Sequence, residues 1–332
     1  MQPELVRQTA AAIRSVQRPD GFIPHLAGGA GDVWNHVEAA MALDVGGLLE
    51  EAEMAYRWVA REQRGDGSWP LGYDRDRVVD AGADANFCAY VATGAWHHYL
   101  ATEDAGFLAE LWPVVERALD FTLGLQAPGG EVHWARDAQG VAWPAALLTS
   151  SSCIHLSLRC GIEIAAILGR PHAHWQEARR RLAAAIEHHP EAFAPKARWS
   201  MDWYYPVLGG ALEQSAAEAR LRRDWDRFVV PGVGVRCVAD RPWVTVAETC
   251  ELVIALNSVG WTEEATRLFD SVHGLRAPDG AYWTGLTFPD RQVWPEERPT
   301  WTSGAVLLAA DALAGTSRTS QLFRDDWLET VA

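Results

Sequence analysis

The sequence has no long uninterrupted apolar run and no region that resembles a targeting segment. A helix that spans a membrane needs about 18 or more consecutive apolar residues, and the 332 residues contain no such stretch. The N-terminal Met-Gln-Pro-Glu leads directly into an amphipathic segment, without the basic flank and apolar core of a signal peptide. These absences predict a cytoplasmic protein with no membrane span.

Clusters of basic residues are missing as well. Lysine and arginine together number 29 against 44 aspartates and glutamates, which gives a formal net charge of −15. Nucleic-acid phosphates are bound by clustered lysine and arginine side chains. An acidic chain with scattered arginines therefore predicts no nucleic-acid partner, and the acidity itself mainly favours solubility.

No residue pattern indicates a metal, a cofactor or a disulfide. The five cysteines are scattered and none has C-x-x-C spacing, so we expect reduced, buried thiols. His97-His98 and His188-His189 are adjacent pairs, and neighbours on a helix diverge by about 100 degrees, which is a poor geometry for chelation. A glycine-rich phosphate loop and a serine nucleophile elbow are also lacking. We therefore predict neither a metal nor a cofactor.

Tryptophan and helical periodicity are abundant. Seventeen tryptophans occur in the chain, and rings in such number serve as core, as stacking surfaces for sugars or as a cage for a carbocation. Apolar residues recur at three- and four-residue spacing through most of the chain, which predicts an all-α protein with at most a short hairpin at 229–243. The predicted helices are 4–17, 34–46, 48–63, 84–101, 104–126, 149–168, 172–188, 204–214, 216–228, 244–259, 262–275 and 300–314.

A turn motif recurs after four of these helices. Its copies are Gln17–Phe22, Gln63–Trp69, Gln126–Gly130 and Arg276–Trp283. In each copy a glycine follows the helix end, where a left-handed conformation costs little, and aspartate, proline or glycine precedes it. Copies separated by one helical hairpin or a multiple of one predict hairpins that stack on each other. Because no obvious capping repeat exists, we expect the array to close into a ring.

The copy Gln63–Trp69 matches the Q-x-x-D-G-S-W repeat of the squalene–hopene cyclases and also resembles turns of the glucoamylase-like glycoside hydrolases. Both families are built as α-helical double rings. The resemblance implies one (α/α)6 barrel domain over residues 1–332, with about twelve helices in two concentric rings and residues 316–332 as a C-terminal tail. It implies little about the chemistry, because one fold hosts many functions.

The last predicted hairpin resembles a more specific part of the glucoamylase-like enzymes. Trp294–Ala305 is similar to the segment in which a Glu-Gln loop carries the catalytic base and a Thr-Trp-Ser run opens the twelfth helix. The resemblance places Glu296 at the position of the base. Glu297 stands where the family usually has glutamine.

The resemblance extends to the loop before the sixth helix. Leu147–Ile154 resembles the segment after the glucoamylase acid, which in that family follows a tryptophan as Trp-Glu-Glu. Here the loop continues from Trp134 as Ala-Arg-Asp, so Asp137 takes the place of the acid, displaced by one or two positions, with Glu131 as the alternative. An inverting hydrolase needs two carboxyl groups about 6.5–9.5 Å apart, and Glu296 with Asp137 is the predicted pair.

Aromatic and polar residues near the starts of alternate helices are the candidate substrate-binding residues, since stacked rings and carboxylates suit the faces and vicinal hydroxyls of a sugar. Four have a structural alternative: Asp84 as a helix N-cap, Glu38 as a buried hydrogen-bonding residue, Glu248 as an ion-pair partner of Arg236 or Arg241, and Glu297, like Glu296, as a cap of the next helix or a solvated loop residue. The candidates are Trp34, Glu38, Trp69, Asp84, Trp134, Asp202, Trp203, Tyr204, Glu248, Trp283, Glu297 and Trp301.

Three functions fit these observations, each with a small molecule or an oligosaccharide as partner. The favoured one is an inverting glycoside hydrolase acting on a gluco-type oligosaccharide. The second is an isoprenoid cyclase or prenyltransferase, although the D-x-D-D acid motif is absent and the diphosphate-like run Asp325–Glu329 is better interpreted as a solvated tail. The third is a glycan-binding protein that has lost its catalytic acid.

Overall fold

A computed structural model describes residues 1–75 and 77–324 of the chain. Twelve α-helices lie in this part of the chain, and eleven of them begin and end within three residues of their predicted bounds. The helices are α1 (Pro3–Arg14), α2 (Val33–Val45), α3 (Leu49–Glu62), α4 (Ala85–Thr102), α5 (Ala105–Leu123), α6 (Leu148–Ile167), α7 (Ala173–His188), α8 (Ser200–Leu208), α9 (Gln214–Phe228), α10 (Val246–Ser258), α11 (Thr262–Val272) and α12 (Thr300–Ala314).

Helix α8 differs from its prediction over 204–214. It begins at Ser200 and ends at Leu208. Two glycines follow, and Gly210 adopts a left-handed φ of 61°, which is a common way for a helix to end. The predicted bounds are therefore wrong for this helix, although its existence is confirmed.

The helices form two concentric rings. The even-numbered helices contact one another in the order α2, α4, α6, α8, α10 and α12, and α12 contacts α2, so the inner ring is closed. Inner helices are buried on almost every side, and in α2 ten of the thirteen residues are buried. The odd-numbered helices pack outside them with one apolar face each. The predicted all-α (α/α)6 barrel is confirmed.

All six connections that lead from an outer helix to the next inner helix lie at one end of the barrel, which we call the mouth. Short strands form here in three small antiparallel sheets. The hairpin predicted at 229–243 is present as β6 (Val229–Val230) and β7 (Gly234–Arg236), and two more strands extend it to four. The strands are β1 (Ala30–Gly31), β2 (Gly72–Asp74), β3 (Arg77–Asp80), β4 (Ala83–Asp84), β5 (Ala135–Arg136), β6 (Val229–Val230), β7 (Gly234–Arg236), β8 (Trp243–Thr245) and β9 (Gly285–Thr287).

In three copies of the recurring turn motif, a glutamine bonds the hairpin to the next outer helix. The Nε2 of Gln63 donates to the carbonyl of Gly67 at 3.1 Å, within the turn, and to the carbonyl of Val114 in α5 at 2.9 Å. Gln17 and Gln126 make the same two kinds of bond, reaching α3 and α7. These bonds satisfy backbone carbonyls at the contact between neighbouring hairpins.

The glycine of the motif allows the turn to approach the next outer helix closely. Gly67 has a φ of 90°, and a Cβ added there would lie 2.2 Å from the carbonyl oxygen of Arg117 in α5. In the last copy, a Cβ on Gly280 would lie 2.6 Å from the carbonyl oxygen of Gln8 in α1. The motif therefore also closes the ring, because its last copy contacts the first helix.

We expect Gly67→Ala to lower the free energy of unfolding by about 2–4 kcal/mol, because the methyl group overlaps a backbone oxygen and the residue is held at a positive φ. Gly65→Ala is the matched control in the same turn, since nothing lies within 4 Å of its added Cβ. The control should change the free energy of unfolding by less than about 1 kcal/mol. Urea unfolding of the two variants measures the difference, and equal losses would contradict this account of the motif.

The segment after residue 316, predicted as a tail, packs in part against the barrel. Leu322 and Phe323 are buried at the end opposite the mouth. The Arg159 guanidinium donates to the carbonyl of Leu322 at 2.6 Å. The diphosphate-like run Asp325–Glu329 lies outside the described residues.

Two expectations from composition concern the core and the membrane. All five cysteines are buried and none is bonded to another, in agreement with the prediction of buried thiols. Over residues 1–75 and 77–324, no helix is long and apolar enough to cross a membrane.

Candidate active site

A pocket of about 390 Å³ opens in the mouth, and we call it the mouth pocket. Each of the six inner helices contributes residues to its wall from its first turns. The polar first turns of helices thus point into one shared space, which is the usual location of function in a closed barrel of this kind. Of the predicted site residues, the pocket brings together Trp34, Asp84, Trp134, Glu248 and Trp301.

Aromatic rings form much of the wall. Trp34 stacks on Tyr90 with 4.8 Å between ring centroids, and Trp301 meets the edge of His25 at 4.9 Å. Trp134 contacts Trp143 edge to face at 5.4 Å. Rings braced by other rings present flat, apolar faces, which suit the C–H faces of a sugar.

Asp84 lies at the N-terminus of α4 and caps it, as its structural alternative predicts. Its Oδ1 accepts from the backbone N–H groups of Asn86 at 2.8 Å and Phe87 at 3.1 Å, and its Oδ2 accepts from Trp134 Nε1 at 2.5 Å. Burial outweighs these donors and raises the pKa of Asp84 to about 7. A carboxyl group with such a pKa can hold and release a proton near neutral pH.

Glu248 lies in the first turn of α10 and accepts a hydrogen bond from the Thr245 hydroxyl. In the closed order of the inner ring, α10 is the third neighbour of α4 in either direction. Glu248 and Asp84 therefore lie on opposite sides of the mouth pocket, with its open volume between them.

Glu251 lies one turn deeper in α10, at the floor of the mouth pocket. The hydroxyls of Tyr204 and Tyr205 donate to its two carboxyl oxygens, the second at 2.7 Å. Burial, followed by the nearby charge of Glu248, raises the pKa of Glu251 to about 8. Tyr204, a predicted binding residue, thus holds Glu251 by a hydrogen bond and does not line the pocket itself.

Glu38 lies beneath the floor, in a cavity of about 20 Å³ on the barrel axis that it shares with Glu251 and Trp34. Burial and then the charge of Glu251 raise the pKa of Glu38 well above its usual range. Its Oε2 has no hydrogen-bond partner among the described residues. Glu38 is therefore buried, as its structural alternative predicts, but among the described residues its Oε2 lacks the hydrogen bond that this alternative includes.

Asp202 is buried beside the pocket. It accepts a hydrogen bond from the Thr149 hydroxyl at 2.9 Å, and Thr149 itself lines the pocket. Burial raises the pKa of Asp202. Arg220 fixes the segment by donating to the Asp202 carbonyl at 2.7 Å. Asp202 therefore supports the wall at α8, behind the first layer of side chains.

The predicted catalytic pair is not brought together in the mouth pocket. Glu296 is exposed and lines a separate depression between α1 and the loop before α12, together with Glu297 and Trp283. Asp137 accepts from the backbone N–H groups of Gln139 and Val141, both at 2.9 Å. Its carboxylate thereby shapes a surface turn.

Two predicted binding residues lie in the core instead of the pocket. Trp69 is buried and donates from Nε1 to the Val59 carbonyl at 3.0 Å. Trp203 donates to the Arg220 carbonyl at 2.8 Å and stacks on Phe228 at 5.4 Å. Both rings fill space between the inner and outer rings, where a sugar has no access.

Several pocket residues were not among the predicted site residues. They share one feature, a place in the first two turns of an inner helix, and that feature was available once the helices were assigned. Among the described residues no ion pair joins Glu248 to Arg236 or Arg241, and the Arg236 guanidinium donates to the Ala239 carbonyl at 3.1 Å and lies over the ring of Phe288. The additional polar residues are Asn35, Asn86, Thr149, Ser150, Tyr205 and Glu251.

The adjacent histidines of α4 serve a structural contact. His97 and His98 are buried, and the Nδ1 of each meets the carboxylate of Asp44, at 3.2 Å and 2.7 Å. In the described part of the chain, no group of three or more histidine, cysteine, aspartate or glutamate side chains is arranged to hold a metal ion.

Comparisons with known proteins identify a relative that is similar along nearly the whole chain. The chain is 53% identical over 322 residues to the MMP endo-(1,4)-3-O-methyl-alpha-D-mannosidase of Mycolicibacterium hassiacum (strain DSM 44199 / CIP 105218 / JCM 12690 / 3849), an alignment that covers 97% of this chain and 89% of that protein. No protein-family model matches the chain.

Solved structures share the fold at low sequence identity. A wild-type glycosidase has a TM-score of 0.74 at 16% identity, over 94% of this chain and 96% of that one. A D-mannose isomerase has a TM-score of 0.73 at 10% identity, over 95% and 97%. At such identities these structures support the fold alone, whereas the M. hassiacum relative is similar along nearly the whole sequence.

Proposed function

The chain belongs to the glycoside hydrolase family of the MMP endo-(1,4)-3-O-methyl-alpha-D-mannosidase, and from this we propose that it cleaves internal 1,4-linkages in an α-mannan that carries 3-O-methyl groups. The observation that carries the proposal is the 53% identity over 97% of the chain. The proposed substrate is therefore a mannose polymer, in place of the gluco-type oligosaccharide that the sequence predicted. A family of glycosidases also gives no support to the isoprenoid alternative.

The composition of the mouth pocket supports a neutral, partly methylated sugar. Its wall combines tryptophan rings with apolar side chains such as Met201 and Phe87, and its hydrogen-bonding groups are mostly uncharged amides and hydroxyls such as Asn35 and Thr149. A methyl ether has no hydrogen to donate and prefers an apolar contact. The apolar parts of such a wall accommodate the methyl groups.

We assign the general acid to Asp84 and the general base to Glu248. The Asp84 Oδ2 lies toward Trp134 at the pocket wall and would give its proton to the glycosidic oxygen as the bond from C1 to that oxygen breaks. Glu248 would take a proton from the water that attacks C1 from the other face of the sugar. Placement on opposite sides of the pocket leaves room for that water, which favours inversion of configuration.

Glu251 supports this arrangement from the floor. With a pKa of about 8, it stays largely protonated near neutral pH, so it adds little negative charge beside Glu248. The two tyrosine hydroxyls hold it in place. The floor thus places no second full negative charge beside the base.

The proposal is tested by product analysis. Purified protein is incubated with 1,4-linked 3-O-methyl-α-mannose oligosaccharides and, separately, with maltooligosaccharides of the same length. Mass spectrometry reports the fragments, and proton NMR reports the anomer first released. Internal fragments from the mannose series, with the β-anomer formed first, support the proposal. Terminal monosaccharide release, or preference for the glucose series, would overturn the substrate assignment, and an initial α-anomer would overturn inversion.

Sequence resemblance suggested Glu296 and Asp137 as the catalytic pair, which is an alternative to the carboxyl pair in the mouth pocket. We expect Glu296→Gln and Asp137→Asn to retain a kcat close to that of the wild type, because neither carboxylate faces the mouth pocket. Initial rates on the 1,4-linked mannose substrate measure this. A loss of about 10²-fold or more in either variant would return the catalytic assignment to that residue.

A further inference from the structure

The mouth carries an unusual share of the exposed apolar side chains. Ten large hydrophobic residues are exposed in the described part of the chain, and seven of them lie in the connections at the mouth. Three of the seven are tryptophans: Trp143, Trp199 and Trp294, which are 49%, 39% and 53% exposed. Exposed aromatic rings gathered around a pocket usually mark a binding surface.

Two of these rings lie on opposite sides of the mouth. Trp143 is in the connection that leads to α6, and Trp294 is in the connection that leads to α12. In the closed order of the inner ring, α12 is the third neighbour of α6 in both directions. A line from one ring to the other therefore crosses the mouth.

Both rings are held by fixed backbone and by a second tryptophan. Trp143 donates its backbone N–H to the Ala135 carbonyl at 2.9 Å, and its ring meets Trp134 of the pocket wall. Trp294 donates its N–H to the Gly285 carbonyl at 3.0 Å. Its carbonyl accepts from Trp243 Nε1 at 2.8 Å, and the two rings are 4.9 Å apart. These platforms are thus oriented before any ligand arrives.

We propose that Trp143 and Trp294 are outer subsites on which a polymeric glycan stacks as it enters and leaves the mouth pocket. The inference rests on the proposed function, since cleavage inside a chain requires the polymer to extend on both sides of the scissile bond. A pyranose ring presents C–H groups on one face, and 3-O-methyl groups add apolar area, so both bind to an exposed indole. The absence of charge on these platforms suits a neutral polymer.

The test compares substrate lengths. A tetrasaccharide of 1,4-linked 3-O-methyl-α-mannose occupies the pocket, whereas the full-length polysaccharide also reaches the outer rings. We expect Trp143→Ala and Trp294→Ala each to lower kcat/KM for the polysaccharide about fivefold to tenfold, mainly through KM, and to leave the tetrasaccharide nearly unchanged. Trp143→Phe and Trp294→Phe should recover most of the loss, because a ring face remains.

Ile167→Ala is the control, since Ile167 is exposed at the end of α6 opposite the mouth. Equal losses on both substrate lengths, or no loss on either, would overturn the proposal. Loss of a concentration-dependent dimer in the alanine variants, measured by analytical ultracentrifugation, would assign the rings to self-association instead. Circular dichroism confirms that each variant folds.

A binding measurement separates this inference from the proposed function. Calorimetry with the Glu248→Gln variant measures affinity for the polysaccharide without turnover. If the wild type cleaves neither substrate but polysaccharide binding weakens in Trp143→Ala and Trp294→Ala, the outer subsites stand and the proposed hydrolysis fails. If the wild type cleaves both lengths but neither alanine substitution changes binding or kcat/KM, the proposed hydrolysis stands and the outer subsites fail.

Discussion

Glu248→Gln is expected to lower kcat by about 10²- to 10⁴-fold, the range typical for loss of one general acid or base. The amide keeps the size of the side chain and can still accept a hydrogen bond from Thr245, but it cannot take a proton from the attacking water. The substitution impairs activation of the attacking water and not departure of the leaving group. The fall in kcat should therefore be equally large for substrates with good and poor leaving groups. Initial rates on the mannose oligosaccharide and on a dinitrophenyl mannoside measure both.

Glu50→Gln is the matched control for this variant. Glu50 lies in the first turn of an outer helix, α3, and is exposed, so the substitution removes the same charge from the same kind of helix position. It should leave kcat unchanged. Full activity in Glu248→Gln, or an equal loss in the control, would remove Glu248 from the mechanism.

Asp84→Asn is expected to lower kcat on the natural linkage by a comparable factor, because the amide has no acidic proton to give to the departing oxygen. Its effect should shrink strongly on a dinitrophenyl mannoside, since that leaving group departs without protonation. This dependence on the leaving group separates the acid from the base. A loss that is the same for both substrates would contradict the assignment of Asp84 as the acid.

Asp104→Asn provides the matched control for capping. Asp104 accepts from the N–H groups of Gly106 at 2.8 Å and Phe107 at 3.0 Å, which is the geometry of Asp84 at the start of α4, but it caps α5 far from the mouth. Asparagine is as good an N-cap as aspartate. Stability and activity should therefore both stay close to wild type in this control.

The pKa of Asp84 also predicts the pH dependence of the wild type. The acid must carry its proton, so kcat should fall as pH rises through about 7.

The raised pKa of Asp84 also makes the stability of the folded protein depend on pH. The folded pKa lies above the ordinary value of 3.8, so the folded state holds the proton more tightly, and this contribution is lost as pH rises from about 4 to about 7.

Asp84→Asn removes that titration. Its free energy of unfolding should rise relative to that of the wild type as pH increases from about 4 to about 7, and the difference should stay constant above this window. Urea unfolding across the pH range measures the difference. A constant difference at all pH values would mean that the folded carboxyl has an ordinary pKa.

The fold was readable from the sequence because it depends on local patterns. Inner helices are apolar on nearly every side and outer helices have one apolar face, and both patterns identify a helix without knowledge of its neighbours. The turn motif around Gly67 identified the junctions between hairpins for a similar reason. Its glycine makes the same close approach in all four copies, and its glutamine makes the same bonds in the three copies that have one. Only α8 was misplaced, where two glycines end a short helix early.

The site was predicted only in part. Trp34 and Trp301 were selected from the starts of inner helices and Trp134 from the connection before α6, and all three lie in the mouth pocket. Glu296 and Asp137 were selected from resemblance in the connecting loops, and these loops hold the two carboxylates away from the pocket. Loop conformation depends on strand pairing and on turns that short motifs do not specify.

The sequence by itself determined the helical double ring, its closure through the repeated turn, and three tryptophans of the pocket wall. Tertiary structure alone decided which carboxyl groups share a pocket. Asp84 and Glu248 are far apart in the chain and face the same pocket only because their helices are third neighbours in a closed ring. Burial in that ring then raises the pKa of Asp84 to about 7, and burial depends on all six hairpins at once, which no local pattern records.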